Sequence, residues 1–141
     1  MTMAAKIIFD QDVMHMMALF DQVTRAGLRD CIKGEELIIF IVEPGEIAKA
    51  IGKGGSNIKL LERKLNKRVK VVEFAEDACK FAANLMYPAQ IAGCQYEEKR
   101  ILMEPADMNS RGIMIGRNAS SLRRTEEIVK RYFDIEQIKV R

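Results

Sequence analysis

One short pattern occurs twice in this chain, at a separation of 64 residues (116 − 52), and it restricts the possible folds more than any other feature. The first copy reads Ile51-Gly52-Lys53-Gly54-Gly55-Ser56-Asn57-Ile58; the second reads Ile115-Gly116-Arg117-Asn118-Ala119-Ser120-Ser121-Leu122. Each follows an apolar, helix-like run, sets a glycine beside a cation and small residues, and opens a second apolar, basic helix. Glycine admits φ > 0 and lets another backbone come close. A helix N-terminus turns unpaired N–H groups and the positive end of its dipole outward. Phosphate is the natural ligand for such a place. The pattern therefore has the layout of a hook for a phosphodiester chain. Lys53 supplies a mobile charge, and Ile51 and Ile58 supply an apolar floor on which bases would rest.

The flanking sequence repeats as well. Val13, Met16, Met17, Phe20 and Val23 recur at helical spacing and predict a helix over 12–26, with Asp12 capping its start and Gly27 ending it. Met14, Met16 and Met17 read as core filler, and His15, with no Cys, Asp or Glu cluster beside it, as a core or partner-facing ring. A short strand over 28–32, a turn at Lys33-Gly34-Glu35 and the unbroken apolar run 37–42 follow. That run is rich in β-branched residues and stops at Pro44, which predicts a buried strand. A short helix over 46–51 leads into the first motif. Ile58, Leu61 and Leu65 then mark an amphipathic helix, and Val69, Val71 and Phe74 alternate as a strand. The same order returns as a helix over 77–86, strands over 89–96 and 99–103, a short helix over 107–115 and a long basic helix over 119–133. A last strand carries Ile135, Ile138 and Val140. Two αββααβ units, residues 1–75 and 76–141, give an α/β (α+β) class by internal duplication, each unit with a three-stranded sheet packed on helices. No Pro/Gly/Ser-rich linker separates them, so a fixed relative orientation is expected.

The net charge of +3 says little by itself; its distribution says more. From Lys49 to Lys70 there are eight cations against one anion, Glu62, whereas from Asp107 to Arg141 there are eight against five. Other glycine motifs fail on spacing. A Walker loop needs a glycine five positions before Gly52 and a Ser or Thr after Lys53. A dinucleotide fingerprint needs a glycine at Asn57 and a strand, rather than a helix, before Gly52. Cys31, Cys79 and Cys94 are widely spaced and His15 is the one histidine, so no zinc set is expected. The odd cysteine count predicts reduced, buried thiols rather than a disulfide framework. With no Ser/His/Asp, Cys/His or metal constellation, no enzyme and no cofactor are expected. The N-terminal stretch around Lys6 lacks a signal-peptide core and no window has a membrane-span length of apolar residues, which predicts a cytoplasmic protein with no membrane partner.

The residues Ala48 to Lys59, Lys67 to Phe74 and Lys130 to Ile135 together make the chain resemble the short archaeal NusA-like transcription factors, two KH domains of type II order, nearly end to end. The resemblance implies binding of single-stranded RNA, with the GXXG loop clamping about four nucleotides. It also implies action on nascent transcript in elongation or termination, with RNA polymerase or other transcription proteins as partners. Carried onto this sequence, the RNA-binding residues are Ile51, Gly52, Lys53, Gly54, Gly55, Asn57 and Lys59, then Gly116, Arg117, Asn118, Ala119 and Arg123. The second copy departs from the pattern at Ala119, where a glycine is expected. Alanine there is inexpensive if it starts the helix at negative φ, and Arg117 and Arg123 offer compensating charge; a second copy used only for packing is the alternative. The competing readings are a ribosome-assembly or RNA-processing KH factor, and an adapter that binds only protein.

Overall fold

The structure, a computed structural model, describes residues 10–141, and the expectation about the N-terminal stretch before Asp10 falls outside them. Those residues divide into two compact units, one running to Ala75 and the other beginning at Glu76. The first consists of α1 (Gln11–Thr24), β1 (Leu28–Lys33), β2 (Leu37–Val42), α2 (Ile47–Ile51), α3 (Ser56–Leu65) and β3 (Arg68–Glu73). The second consists of α4 (Ala78–Met86), β4 (Ile91–Glu97), β5 (Arg100–Pro105), α5 (Met108–Ile115), α6 (Ser120–Lys130) and β6 (Gln137–Val140).

Each unit carries a three-stranded sheet in chain order, with its first two strands antiparallel and its last two parallel. Parallel neighbours cannot be joined by a tight turn and need a crossover. The α2–α3 and α5–α6 pairs are those crossovers, and the glycine motif lies at the bend of each. The duplication extends to irregularities. β1 and β4 are both bulged near their start, between Leu28 and Asp30 and between Ile91 and Gly93.

The core of the first unit follows the predicted periodicities. Val13 and Phe20 of α1 meet Ile38, Phe40 and Val42 of β2, Ala50 of α2, Leu61 of α3 and Val69 of β3, with Met16, Met17 and Val23 packed against them. Phe20 stacks on Phe40 with ring centroids 4.5 Å apart. β2 is buried from Ile38 to Val42, as its unbroken apolar run requires. Met14 and His15 are exposed rather than in the core. In the second unit the buried set includes Phe81, Leu85 and Met86 of α4, Ile101 and Met103 of β5, Met114 of α5, Ile128 and Val129 of α6, and Ile138 of β6. α6 ends at Lys130, short of the expected 133. The aromatic residues after it turn onto α4, with Tyr132 edge-on to Phe81 at 5.9 Å and Phe133 at 6.0 Å.

The same latches recur in both units. Glu62, the one acid in the basic segment, accepts from the Val69 N–H of β3 at 3.0 Å, and Glu126 accepts from the Ile138 N–H of β6 at 2.8 Å. Gly27 N–H donates to Glu46 at 2.7 Å, and Gln90 N–H donates to Ser110 at 2.8 Å. These bonds fix each crossover against its sheet from both ends.

Three expectations are corrected. The N-cap of α1 is Asp10, which accepts from Val13 N–H at 2.8 Å, not Asp12. Its end is Arg25 in the left-handed region at φ 55°, not Gly27. Cys79 and Cys94 form a disulfide with Cα atoms 5.9 Å apart, while Cys31 keeps its thiol, buried in the first core. A separation of 15 residues gives no hint of this pair; the fold brings the start of α4 beside the middle of β4.

The cap has a pH signature. The Val13 N–H is the largest cause holding the Asp10 carboxyl below its ordinary 3.8; desolvation opposes it, and Lys33 adds to the lowering. Lys33 is raised in turn, first by its hydrogen bond to Asp12 and then by the charge of Asp10. A depressed carboxyl contributes stability that is whole above its unfolded pKa and is lost as pH falls through the folded one. Asp10→Ala should therefore lower Tm at neutral pH, with the gap to wild type closing as the pH drops below 3.8. Thermal melts from about pH 6 to about pH 2 check this; a gap constant across that range rejects the assignment.

Candidate nucleic-acid interface

Each hook is a helix end, a glycine in an extended left-handed conformation, one 3-10 turn and a helix start. In the first, α2 gives way at Gly52 (φ 78°, ψ 170°), Gly54 lies at φ 61°, ψ 23° and Gly55 at φ 76°, ψ 18°, and α3 begins at Ser56. In the second, α5 gives way at Gly116 (φ 74°, ψ 177°), Asn118 lies at φ 55°, ψ 34° and Ala119 at φ 61°, ψ 21°, and α6 begins at Ser120. The two backbones agree within about 15° at every one of these angles, well inside ordinary scatter. Equivalent bonds close them: Gly52 N–H to Ala48 and Gly116 N–H to Gly112, then Gly55 N–H to Gly52 and Ala119 N–H to Gly116.

Ala119 therefore does not meet the condition, a helix start at negative φ, under which alanine would be inexpensive; it holds the left-handed conformation of Gly55. A β-carbon in that region costs roughly 1–2 kcal/mol, partly offset by the lower entropy that alanine has to lose on folding. Ala119→Gly should thus stabilise the chain by about 0.5–1 kcal/mol, a Tm rise of a few degrees. A melting experiment on the full chain reads it, and a lower Tm contradicts the left-handed geometry.

The site residues are disposed as follows. Lys53, Gly54 and Lys59 are exposed at the first hook, and Arg117, Asn118 and Arg123 at the second. Ile51, Gly52, Gly55, Gly116 and Ala119 are half-buried. Lys53, Lys59, Arg117 and Arg123 form no ion pair among the described residues. Their charge is left to solvent, whereas Lys130, later on α6, pairs with Glu126 at 3.6 Å. Ile58 packs against the first core, so it contributes only part of itself to a floor.

Asn57, expected among the RNA-binding residues, also has a partner within the protein. Its Nδ2 donates to the Lys49 carbonyl of α2 at 3.1 Å, so it ties the two helices of the crossover together beneath the hook. The latches at Glu46, Glu62, Ser110 and Glu126 escape a reading by charge alone. Their signal is the 64-residue interval itself: Glu62 and Glu126 stand at equivalent places, and so do Glu46 and Ser110. Among the described residues no group of His, Cys, Asp and Glu is arranged to hold a metal, and no helix is long and apolar enough to cross a membrane.

A family model described as KH domain matches residues 16–76, most of the first unit. The crystal structure of APE1850 matches with a TM-score of 0.75 at 25% identity, covering 94% of this chain and 100% of that one. Two αββααβ units, each with a glycine-led hook in its crossover, define a protein of tandem type II KH domains. A Halococcus morrhuae protein named "Probable transcription termination protein NusA" is 30% identical over 137 residues, 96% of this chain and 99% of that one. A protein of the same name from Methanocaldococcus jannaschii is 29% identical over 139 residues, 96% of this chain and 76% of that one. The chain belongs to the archaeal NusA-like family of KH-domain proteins. KH domains are binding modules rather than catalysts, and the chain is not an enzyme.

Proposed function

We propose that this protein binds single-stranded RNA through two KH domains, residues 1–75 and 76–141, and acts on nascent transcript as a NusA-like elongation or termination factor, with RNA polymerase or another transcription protein as a partner. The backbone contacts are assigned to Gly52, Lys53, Gly54, Gly55 and Lys59 in the first unit and to Gly116, Arg117, Asn118, Ala119 and Arg123 in the second. Ile51 lies at the apolar edge, and Asn57 braces the first hook. One observation carries the reading: both units hold the same strained hook, and Lys53, Lys59, Arg117 and Arg123 beside it form no ion pair among the described residues. Left-handed backbone persists where function uses it, and unpaired exposed cations are what a polyanion neutralises on binding. The transcriptional role rests on the relatives' name.

A filter-binding or fluorescence titration of single-stranded RNA against salt tests the binding. Neutralising a few phosphates makes log K fall against log salt with a slope of about −0.7 per phosphate. A protein-only adapter binds no RNA at any salt.

The two hooks differ in weight. The first lies in the most basic segment and has three glycines, so it should anchor the strand while the second extends the hold. Four residues, Phe74 to Asp77, connect β3 to α4. Once one unit is bound, the other therefore meets the same strand at high effective concentration. Arg117→Asp should weaken a long RNA more than one of about four nucleotides, and less than the matching change at Lys53. Parallel titrations of short and long strands decide it. A larger loss from Arg117→Asp reverses the ranking, and no loss at any length leaves the second unit a packing partner.

A further inference from the structure

The same strand position carries a cysteine in both units: Cys31 opposite Phe40 in the first sheet and Cys94 opposite Met103 in the second. Only the second unit brings another thiol to it, Cys79 from the first turn of α4. The consequences differ because the helices differ. α1 has 14 residues and packs Val13, Met16, Met17, Phe20 and Val23 on its core. α4 has 9 residues, a length at which a helix depends on tertiary support. Its middle and end are held by the buried Phe81, Ala82, Leu85 and Met86, with Phe81 against Tyr132 and Phe133, and its first turn by the disulfide. Those two aromatic residues follow α6 after Arg131, and α6 begins at the second hook and carries Arg123. Cys79 and Cys94 are both half-buried, more open to a reducing thiolate than Cys31, which is 2% exposed. Accessible disulfides are the labile ones.

We propose that Cys79–Cys94 is a redox-modification site that sets the order of α4 and, through α6, the RNA hold of the second hook. The binding half of this proposal rests on the RNA-binding reading above. The reductant is a protein or small-molecule dithiol. One of its thiolates attacks a sulfur of the bond and forms a mixed disulfide. Its second thiolate then displaces the remaining cysteine, so the dithiol is oxidised to its own disulfide. Two electrons and, after protonation, two protons pass to Cys79 and Cys94 as thiols. Oxidation runs the same exchange backwards with a disulfide donor.

The test uses the full chain, oxidised with glutathione disulfide or reduced with dithiothreitol. Alkylation under denaturant should count one thiol in the oxidised form and three in the reduced form; three after oxidation overturns the proposal. Closing a 15-residue separation restricts the open chain enough for an effect on the order of a hundredfold at most. Amide exchange of Ala78–Met86 should therefore accelerate at least tenfold on reduction, while Gln11–Thr24 is unchanged. Equal exchange of α4 in both forms overturns the staple. Reduction should also weaken binding of a long RNA severalfold and leave a four-nucleotide RNA unaffected; equal binding of the long RNA overturns the link to the second hook. A Cys79→Ser/Cys94→Ser variant should exchange like the reduced form and ignore the reagents. If neither form binds any RNA, the RNA reading and the binding half of this proposal are both overturned, and the exchange comparison still decides the staple.

Discussion

Changing Lys53 and Gly54 together to aspartate should lower RNA affinity at least tenfold, about 1.4 kcal/mol or more, and leave the protein folded. The change places two anions where a phosphodiester would lie and removes one cation. Even well-solvated charges at contact distance interact by about 1 kcal/mol, and more beside a protein surface. The fold should tolerate it for reasons visible at each position. Lys53 is exposed and forms no ion pair among the described residues. A β-carbon on Gly54 meets nothing within 4 Å. The left-handed φ of 61° there is one that Asp and Asn accept more readily than other residues, and Asn118 occupies the equivalent place of the second hook at φ 55°. The loss should shrink as salt screens the charges. Circular dichroism establishes folding and titration with single-stranded RNA reads the loss. A folded double variant with unchanged affinity rejects the first hook as the binding site.

The largest stability effects should come from the first glycine of each hook, in the order Gly116→Ala at least equal to Gly52→Ala, and both well above Gly55→Ala. At φ 78° and ψ 170° Gly52 occupies backbone that is almost closed to other residues, a strain of about 1–3 kcal/mol for alanine. Its new β-carbon would also stand 2.8 Å from Asn57 Cγ and 2.9 Å from Ser56 Oγ. Asn57 would have to move and release the Lys49 carbonyl, a further cost of about 1 kcal/mol. At Gly116 the obstacle includes backbone: the β-carbon would lie 2.9 Å from Ser121 N and 2.7 Å from its Cβ. Gly55 has open space around it and only its φ of 76° to satisfy, so alanine there should cost about 1 kcal/mol. Chemical denaturation of the three variants gives the order. If Gly55→Ala costs as much as Gly52→Ala, steric contact is not what makes the first glycine necessary. The same distinction explains the natural difference between the copies, since the second hook keeps Gly116 and gives up the last glycine to Ala119.

Much of this was open to reading in the chain. The 64-residue interval, the helical spacing of Val13, Phe20 and Val23, and the apolar run from Leu37 to Val42 depend on short-range periodicity. Periodicity is fixed by backbone geometry before any tertiary contact forms. It gave the element order of both units and placed each hook between helices. Boundaries were less certain, because caps compete locally: Asp10 and Asp12 offer the same side chain two residues apart, and only the packed position of α1 selects Asp10.

The sequence by itself determined the duplication, the two αββααβ orders, the glycine hooks and the basic segment around the first of them. The tertiary structure alone decided four further things. It put Ala119 in left-handed backbone, because the crossover between parallel strands forces the same bend in both units whatever residue sits there. It bonded Asn57 to the Lys49 carbonyl, and gave Glu62 and Glu126 to the N–H groups of Val69 and Ile138. It joined Cys79 to Cys94, since a thiol pair is set by the distance between α4 and β4 in space and not by their separation along the chain.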